Sequence, residues 1–244
     1  MIKFNQRDTK WANVIYSAKE PHTETIKSSG CGICSACVIV SNLSGTYIEP
    51  PKMAEYSVKN GYRIDGVGTA HSLYPAIAKK YKLKCTQVYD INKAIECVKK
   101  GGMAVCSTSG GENKLFSTGG HLFVMTGYNG KECEFYDTDL YSGKYNTAYR
   151  KSRCYLKGDL IYVKPEESKK HIRTYFLFER TENKVDKNIY SYDNTVEHLI
   201  RLGITDIKNM QYWEKALAGT EPLNKDNVRA LFDRLIAKIY ERGE

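Results

Sequence analysis

The chain has 244 residues, of which 41% are hydrophobic and 27% are charged. This balance excludes a disordered or fibrous chain, and no apolar run approaches the roughly 18 residues that a membrane-spanning helix needs. Residues 1–8 lack the apolar core of a signal peptide. We therefore expect a soluble globular protein that is made in the cytoplasm without a secretion signal.

The formal charge of +9 is unevenly distributed along the chain. Residues 1–180 carry 27 Lys and Arg against 17 Asp and Glu, whereas residues 181–244 carry 10 against 11. The excess suggests an anionic partner or surface for the first part, although a basic surface without function would give the same count.

Residues 1–180 mix helices with short β-rich runs, and the helices come first. The predicted helices lie at 50–61, 73–81 and 92–100, and the β-rich runs lie at 103–106, 122–125, 134–136, 160–163 and 175–178. Asn129-Gly130 between two such runs is typical of a hairpin, so residues 120–128 and 132–137 should pair antiparallel. This order predicts an α+β fold, with N-terminal helices and an antiparallel sheet, rather than a wound parallel sheet.

The β character ends at a polar stretch, which predicts a linker at about 181–190 and a separate module at 191–244. Three short helices are expected there, from the start signal Asn194-x-x-Glu197, the pair Trp213 and Leu217, and the apolar stripe Val228, Leu231, Leu235 and Ile239. Tyr212 and Trp213 are candidates for stacking on sugar rings. A tryptophan one turn from Leu217 is more often a core residue, and so small a module also suits dimerisation.

Cys31 stands between two glycines at the start of an apolar helix. The positive end of a helix favours the thiolate form of a cysteine, which is the form that a nucleophile requires. The run Cys31, Cys34 and Cys37 also fits a metal site, but Ser41 stands where a fourth cysteine would be needed. Cys34 and Cys37 are therefore expected to be core residues, and no metal or other cofactor is predicted.

A nucleophilic cysteine requires a base, and His121 opens a β-rich run after a loop of Gly, Ser and Thr. The other histidines have polar, basic or helical surroundings that predict surface, interface or capping roles; they are His22, His71, His171 and His198. Hairpin pairing returns Asp137 and Asp139 towards His121, and a carboxylate there would fix the tautomer of the imidazole. We prefer Asp137 and retain Asp139 as the alternative.

Several motifs in this order resemble the papain-like cysteine peptidases of the bacteriocin double-glycine-leader peptidase type, over roughly residues 3–165. They are Gln6-x-Asp8-x-x-Trp11, Gly30-Cys31-Gly32, Pro50-Pro51 followed by Met53-Ala54, Gly120-His121 with the run to Tyr128, and Tyr136-Asp137. The resemblance implies a papain-like fold in which Cys31 is the nucleophile and His121 the base. It also implies that Asp137 orients the histidine and that Gln6 donates to the oxyanion.

The 191–244 module looks like the small helical domain appended to cell-wall lytic enzymes of clostridia and their phages. Together the two resemblances imply a phage endolysin, a cysteine peptidase or amidase that cleaves an amide bond in the peptide part of peptidoglycan after release from the cell. The implied partners are the wall and, through the module, a second copy of the chain. The alternatives are an intracellular processing peptidase for a protein precursor and a non-catalytic binding protein; no nucleic-acid motif accompanies the charge.

Overall fold

A computed structural model describes residues 1–110, 114–181, 212, 213, 215, 222 and 224–241. The helices are α1 (Ile26–Ser29), α2 (Cys31–Leu43), α3 (Pro50–Lys59), α4 (Leu73–Lys80), α5 (Ile91–Lys99), α6 (Ala148–Lys151), α7 (Pro165–His171) and α8 (Lys225–Glu241). The strands are β1 (Arg63–Ile64), β2 (Gly68–Thr69), β3 (Leu83–Val88), β4 (Met103–Thr108), β5 (His121–Tyr128), β6 (Cys133–Tyr136), β7 (Cys154–Lys157), β8 (Leu160–Val163) and β9 (Ile172–Arg180). Within these described ranges, no helix is long and apolar enough to cross a bilayer.

Seven of these strands form one antiparallel sheet in the order β3-β9-β4-β5-β6-β8-β7, and β1 pairs separately with β2. The predicted α+β class is therefore confirmed. The helices predicted from the sequence correspond to α3, α4 and α5, and the five β-rich runs correspond to β4, β5, β6, β8 and β9. The predicted hairpin is also confirmed, because β5 and β6 pair antiparallel on either side of a turn in which Gly130 has φ +94°.

The central strands of the sheet are buried on both faces. Successive side chains of a strand point to opposite sides, so each central strand contributes to two core clusters. Val105 and Val124 pack with α2 in one core cluster, whereas Cys106 and Phe123 pack with α5 in a second cluster. Helix α2 is buried around almost its whole circumference and packs inside the first cluster. Its Cys34 and Cys37 side chains are fully buried, as predicted.

The second residue of α2 has room for no side chain. A Cβ atom on Gly32 would stand 2.5 Å from Cβ of Thr69 and 3.0 Å from Cδ1 of Leu122. The first turn of α2 can therefore press directly against β2 and the start of β5. This close contact places Cys31 near the first residue of β5, which is His121.

Some elements of the first unit, Met1–Thr181, differ from the sequence expectation or were not predicted. The edge strands β3 and β7 were missed because exposed edge positions tolerate polar residues and carry a weak alternation. The surface role expected for His171 is wrong. This last residue of α7 is only 6% exposed, and its Nε2 lies 3.0 Å from Oε1 of Glu167. His71 is not a cap: Ser72 precedes α4, and the His71 ring packs against Phe176.

The second unit, Glu182–Glu244, is described in part. Helix α8 covers the apolar stripe that begins at Val228. Trp213 is buried, as expected of a core residue, and the Tyr212 hydroxyl accepts a 2.8 Å hydrogen bond from the backbone N–H of Asn224. The predicted helix start at Asn194, the residue Leu217 and nearly all of the predicted linker lie outside the described residues.

Candidate active site

Cys31 is the first residue of α2, and Gly30 is the N-cap. The side chain is half-buried, and its backbone carbonyl accepts a 2.8 Å hydrogen bond from the Ser35 hydroxyl one turn later. The N–H groups of a first helical turn have no acceptor within the helix, and they form its positive end. The Cys31 sulfur therefore lies where negative charge is stabilised.

His121 and Asp137 form a buried pair, with 2.7 Å between Nε2 of the ring and Oδ1 of the carboxylate. The two residues are 6% and 0% exposed. Because Nε2 faces Asp137, Nδ1 is the ring nitrogen that is left to meet another group. The Cys31 side chain is close enough to the ring that its sulfur, as a thiolate, raises the pKa of His121.

The charge state of this pair is set by burial, which favours the neutral forms, and by nearby opposite charges, which favour the ionised forms. Burial alone lowers the pKa of His121, but the Asp137 carboxylate and the Cys31 thiol together raise it to about 9. Burial alone raises the pKa of Asp137, but the positive charges of His121 and Lys144 hold it well below its usual range. At neutral pH the ring is therefore protonated and the carboxylate ionised, and a protonated ring stabilises a thiolate opposite it.

Three further groups hold the Asp137 carboxylate. Nζ of Lys144 lies 2.7 Å from Oδ2, the Tyr145 hydroxyl donates to the same oxygen at 2.7 Å, and the backbone N–H of Asp139 donates to Oδ1 at 2.9 Å. Lys144 and Tyr145 are buried, at 4% exposure each. Neither was identified from the sequence, because a Lys-Tyr pair after a glycine turn has the composition of an ordinary surface loop.

The structure places Asp139, the alternative partner of the histidine, in a different interaction. Its carboxylate lies 2.6 Å from Nε of Arg7 and 3.5 Å from Nζ of Lys144. Asp137 is thus the carboxylate that contacts His121.

Gln6 lies against the segment that leads into α2. Its Nε2 donates a 2.7 Å hydrogen bond to the carbonyl of Lys27, and its backbone N–H donates to the carbonyl of Thr138 at 2.7 Å. The Thr138 hydroxyl in turn lies 3.3 Å from the carbonyl oxygen of Cys31. An amide nitrogen carries two hydrogens, so one N–H of Gln6 anchors the side chain and the second can serve a ligand.

The cysteines differ sharply in their surroundings, and all eight are unpaired. Burial raises the pKa of seven thiols, namely those of Cys34, Cys37, Cys85, Cys97, Cys106, Cys133 and Cys154. Cys85, the other half-buried cysteine, has its pKa raised to about 12. Across the described part of the chain, no group of three or more His, Cys, Asp and Glu side chains is arranged to hold a metal ion.

These differences predict selective alkylation. Iodoacetamide near pH 7 should label Cys31 well before the other seven cysteines, as read out by mass spectrometry of tryptic peptides. The unfolded chain is the control, because all eight thiols should then react at similar rates. Uniform labelling of the folded protein, or faster labelling of Cys85, would contradict the prediction.

The His121 titration tests which carboxylate governs the ring. Asp137→Asn should lower the pKa of His121 from about 9 by roughly 2 pH units, because burial then acts against a weaker partner. Asp139→Asn is the matched control and should leave the titration nearly unchanged. Both are measured by ¹⁵N NMR of the labelled histidine ring, and the reverse pattern would assign the role to Asp139.

Comparison with known proteins places the chain in a family. The family model described as Peptidase_C39 like family matches residues 5–160, which include Gln6, Cys31, His121 and Asp137. No curated protein matches the chain. The match covers more than half of the sequence and agrees with the α+β architecture, so the chain belongs to the Peptidase_C39-like family of papain-like cysteine peptidases.

Proposed function

We propose that this cysteine peptidase is a peptidoglycan hydrolase of the phage endolysin type, which cleaves an amide bond in the peptide part of the bacterial wall. The observation that carries the proposal is the buried His121–Asp137 pair beside a cysteine at a helix N-terminus. The excess of Lys and Arg in residues 1–180 supports an anionic substrate such as a wall.

In the proposed mechanism, the first step is attack on the scissile carbonyl. Before attack, His121 already holds the thiol proton at Nδ1, so the resting state is a thiolate–imidazolium pair, and Asp137 stabilises the imidazolium through Nε2. The Cys31 thiolate forms a bond to the carbonyl carbon and gives a tetrahedral oxyanion. The second N–H of Gln6 and the backbone N–H of Cys31 would donate to that oxygen.

The second step is the release of the two fragments. The imidazolium returns its proton to the departing amine, which leaves an acyl group on the Cys31 sulfur. Water, deprotonated by the neutral ring, then hydrolyses the thioester and regenerates the Cys31 thiolate opposite a protonated ring. No metal or cofactor is required by this sequence of steps.

The proposal assigns catalysis to residues 1–180 and a separate role to the helical module at 191–244. That module would bind the wall or join two copies of the chain. The burial of Trp213 leaves Tyr212, which is half-buried, as the more accessible aromatic ring of the pair. The enzyme would act on the wall after release from the cell in which it is made.

Purified walls of a Gram-positive host test the activity. Cys31→Ala and His121→Ala should each lower the rate of turbidity loss by roughly 10⁴-fold, since removal of either group abolishes acyl transfer. Cys85→Ala and His22→Ala are matched controls that should lyse like the unaltered protein. Equal lysis by all five proteins would refute the assignment.

The fragments released in this assay separate the two peptidase functions. Mass spectrometry should find wall peptides with new amine and carboxyl ends. Failure to release any wall fragment, together with cleavage of an ordinary L-amino-acid peptide, would instead favour the processing peptidase.

A chain that ends at Arg180 tests the role of the module. If the module binds the wall, the shortened chain should lose wall affinity in a sedimentation assay while its molar mass changes only by the residues removed. If the module joins two copies, light scattering should show a change from dimer to monomer with wall affinity unaltered. Retention of both wall affinity and assembly state would contradict both roles.

A further inference from the structure

A cavity of about 540 Å³ opens beside the carboxylate network of the candidate active site. Its volume lies within the range of about 300–1,000 Å³ that is usual for small-ligand sites. Asp139 and Lys144, which both contact Asp137, form part of its wall, and Tyr141 lies between them in the sequence.

The cavity lies on the histidine side of the site. Arg7 follows Gln6, Ser117 and Thr118 precede His121, and Asp139 follows Asp137, and each of these neighbours lines the cavity. The segment around Cys31 contributes no lining residue. The lining therefore comes from chain neighbours of Gln6, His121 and Asp137.

This location matters because the two fragments of a cleaved peptide are held by different residues of the site. The acyl fragment stays on the sulfur, whereas the amine fragment receives its proton from His121 and departs. A cavity on the histidine side is therefore adjacent to the departing fragment. In a peptide, that fragment ends in a free carboxylate.

The described wall of the cavity carries more positive than negative side chains, namely Arg7, Lys114, Lys144 and Arg150 with Asp139. Asp139 pairs with Arg7, and Asp137 pairs with Lys144, so that Lys114 and Arg150 are the two described cations of the wall without a carboxylate partner. Arg150 is only 7% exposed. Positive charge with so little access to water is unfavourable unless an anion or a set of hydrogen bonds compensates it.

The Arg150 guanidinium is compensated by carbonyl oxygens and by the Tyr145 ring, whose centroid lies 5.4 Å away, rather than by a carboxylate. Its Nε donates to the carbonyl of Lys114 at 3.4 Å, and its Nη1 donates to the carbonyl of Lys144. In the part of the chain that the structure describes, no carboxylate lies within ion-pair distance of this guanidinium, and Nη2 has no protein acceptor. The Lys114 ammonium likewise has no acidic partner among the described residues.

We propose that this cavity is an anion subsite that binds the terminal carboxylate of the departing peptide fragment. The proposal rests on the proposed peptidase function and narrows its substrate. A carboxylate held here would lie close to the scissile bond along the chain, so the enzyme would favour short departing fragments. The stem peptides of a bacterial wall are short and carry carboxylates, whereas a protein precursor would place its terminus far from the cleavage site.

A matched pair of substrates tests the subsite. A synthetic stem-type peptide containing D-amino acids is prepared as the free acid and as the C-terminal carboxamide. The protein should cleave the acid with a kcat/KM about 10-fold higher, and the difference should appear mainly in KM because the contact forms in the ground state. Lys114→Gln should reduce this ratio towards 1, whereas Lys157→Gln, an exposed lysine outside the cavity, should leave it unchanged.

Binding provides the second measurement, because it does not depend on turnover. Calorimetry with Cys31→Ala should give a Kd about 10-fold lower for the acid than for the carboxamide, and Lys114→Gln in the same background should remove the difference. Equal Kd values for the two peptides, or a preference that survives Lys114→Gln, would overturn the subsite.

The outcomes keep the two proposals apart. Wall lysis that depends on Cys31, combined with equal handling of acid and carboxamide, would remove the subsite and leave the peptidoglycan hydrolase standing. Loss of Cys31-dependent lysis, with neither peptide cleaved, would remove the proposed function and the subsite with it.

Discussion

The buried carboxylate of Asp137 constrains the whole active-site region. An ionised carboxylate without access to water is strongly destabilising unless donors surround it. Here the donors are the His121 ring, the backbone N–H of Asp139, the Lys144 ammonium and the Tyr145 hydroxyl. Three of them belong to the loop that follows β6, so the loop must fold back over the carboxylate for the charge to be tolerated. The same contacts orient the imidazole, and the stability of the loop and the geometry of the site are therefore inseparable.

A second constraint sets the distance between the helix and the sheet. The first turn of α2 approaches β2 and β5 closely because Gly32 has no side chain. The Thr138 hydroxyl lies 3.0 Å from the carbonyl oxygen of Leu122 and 3.3 Å from that of Cys31, and so it bridges the strand and the helix. Cys31 and His121 come from segments 90 residues apart, yet their relative position depends on these short-range contacts.

Much of the fold could be predicted from local signals. The β-rich runs of the central strands, the hairpin turn at Asn129-Gly130 and the apolar helix after Cys31 each depend on neighbouring residues, and a sequence displays such patterns directly. Lys144 and Tyr145 could not be predicted, because their importance arises only when the loop folds back onto a charge elsewhere. The burial of His171 was missed for a similar reason, since its Glu167 partner lies one helical turn away in a segment that is polar throughout.

Arg150 links two loops that are distant in the sequence. Its guanidinium bonds to the carbonyl of Lys114, in the loop that leads to His121, and to the carbonyl of Lys144, in the loop that follows Asp137. The planar guanidinium thereby holds the two loops together. A displacement of either loop would be transmitted to the other through Arg150. His121 and Asp137 would then move together, and the distance between them would be preserved.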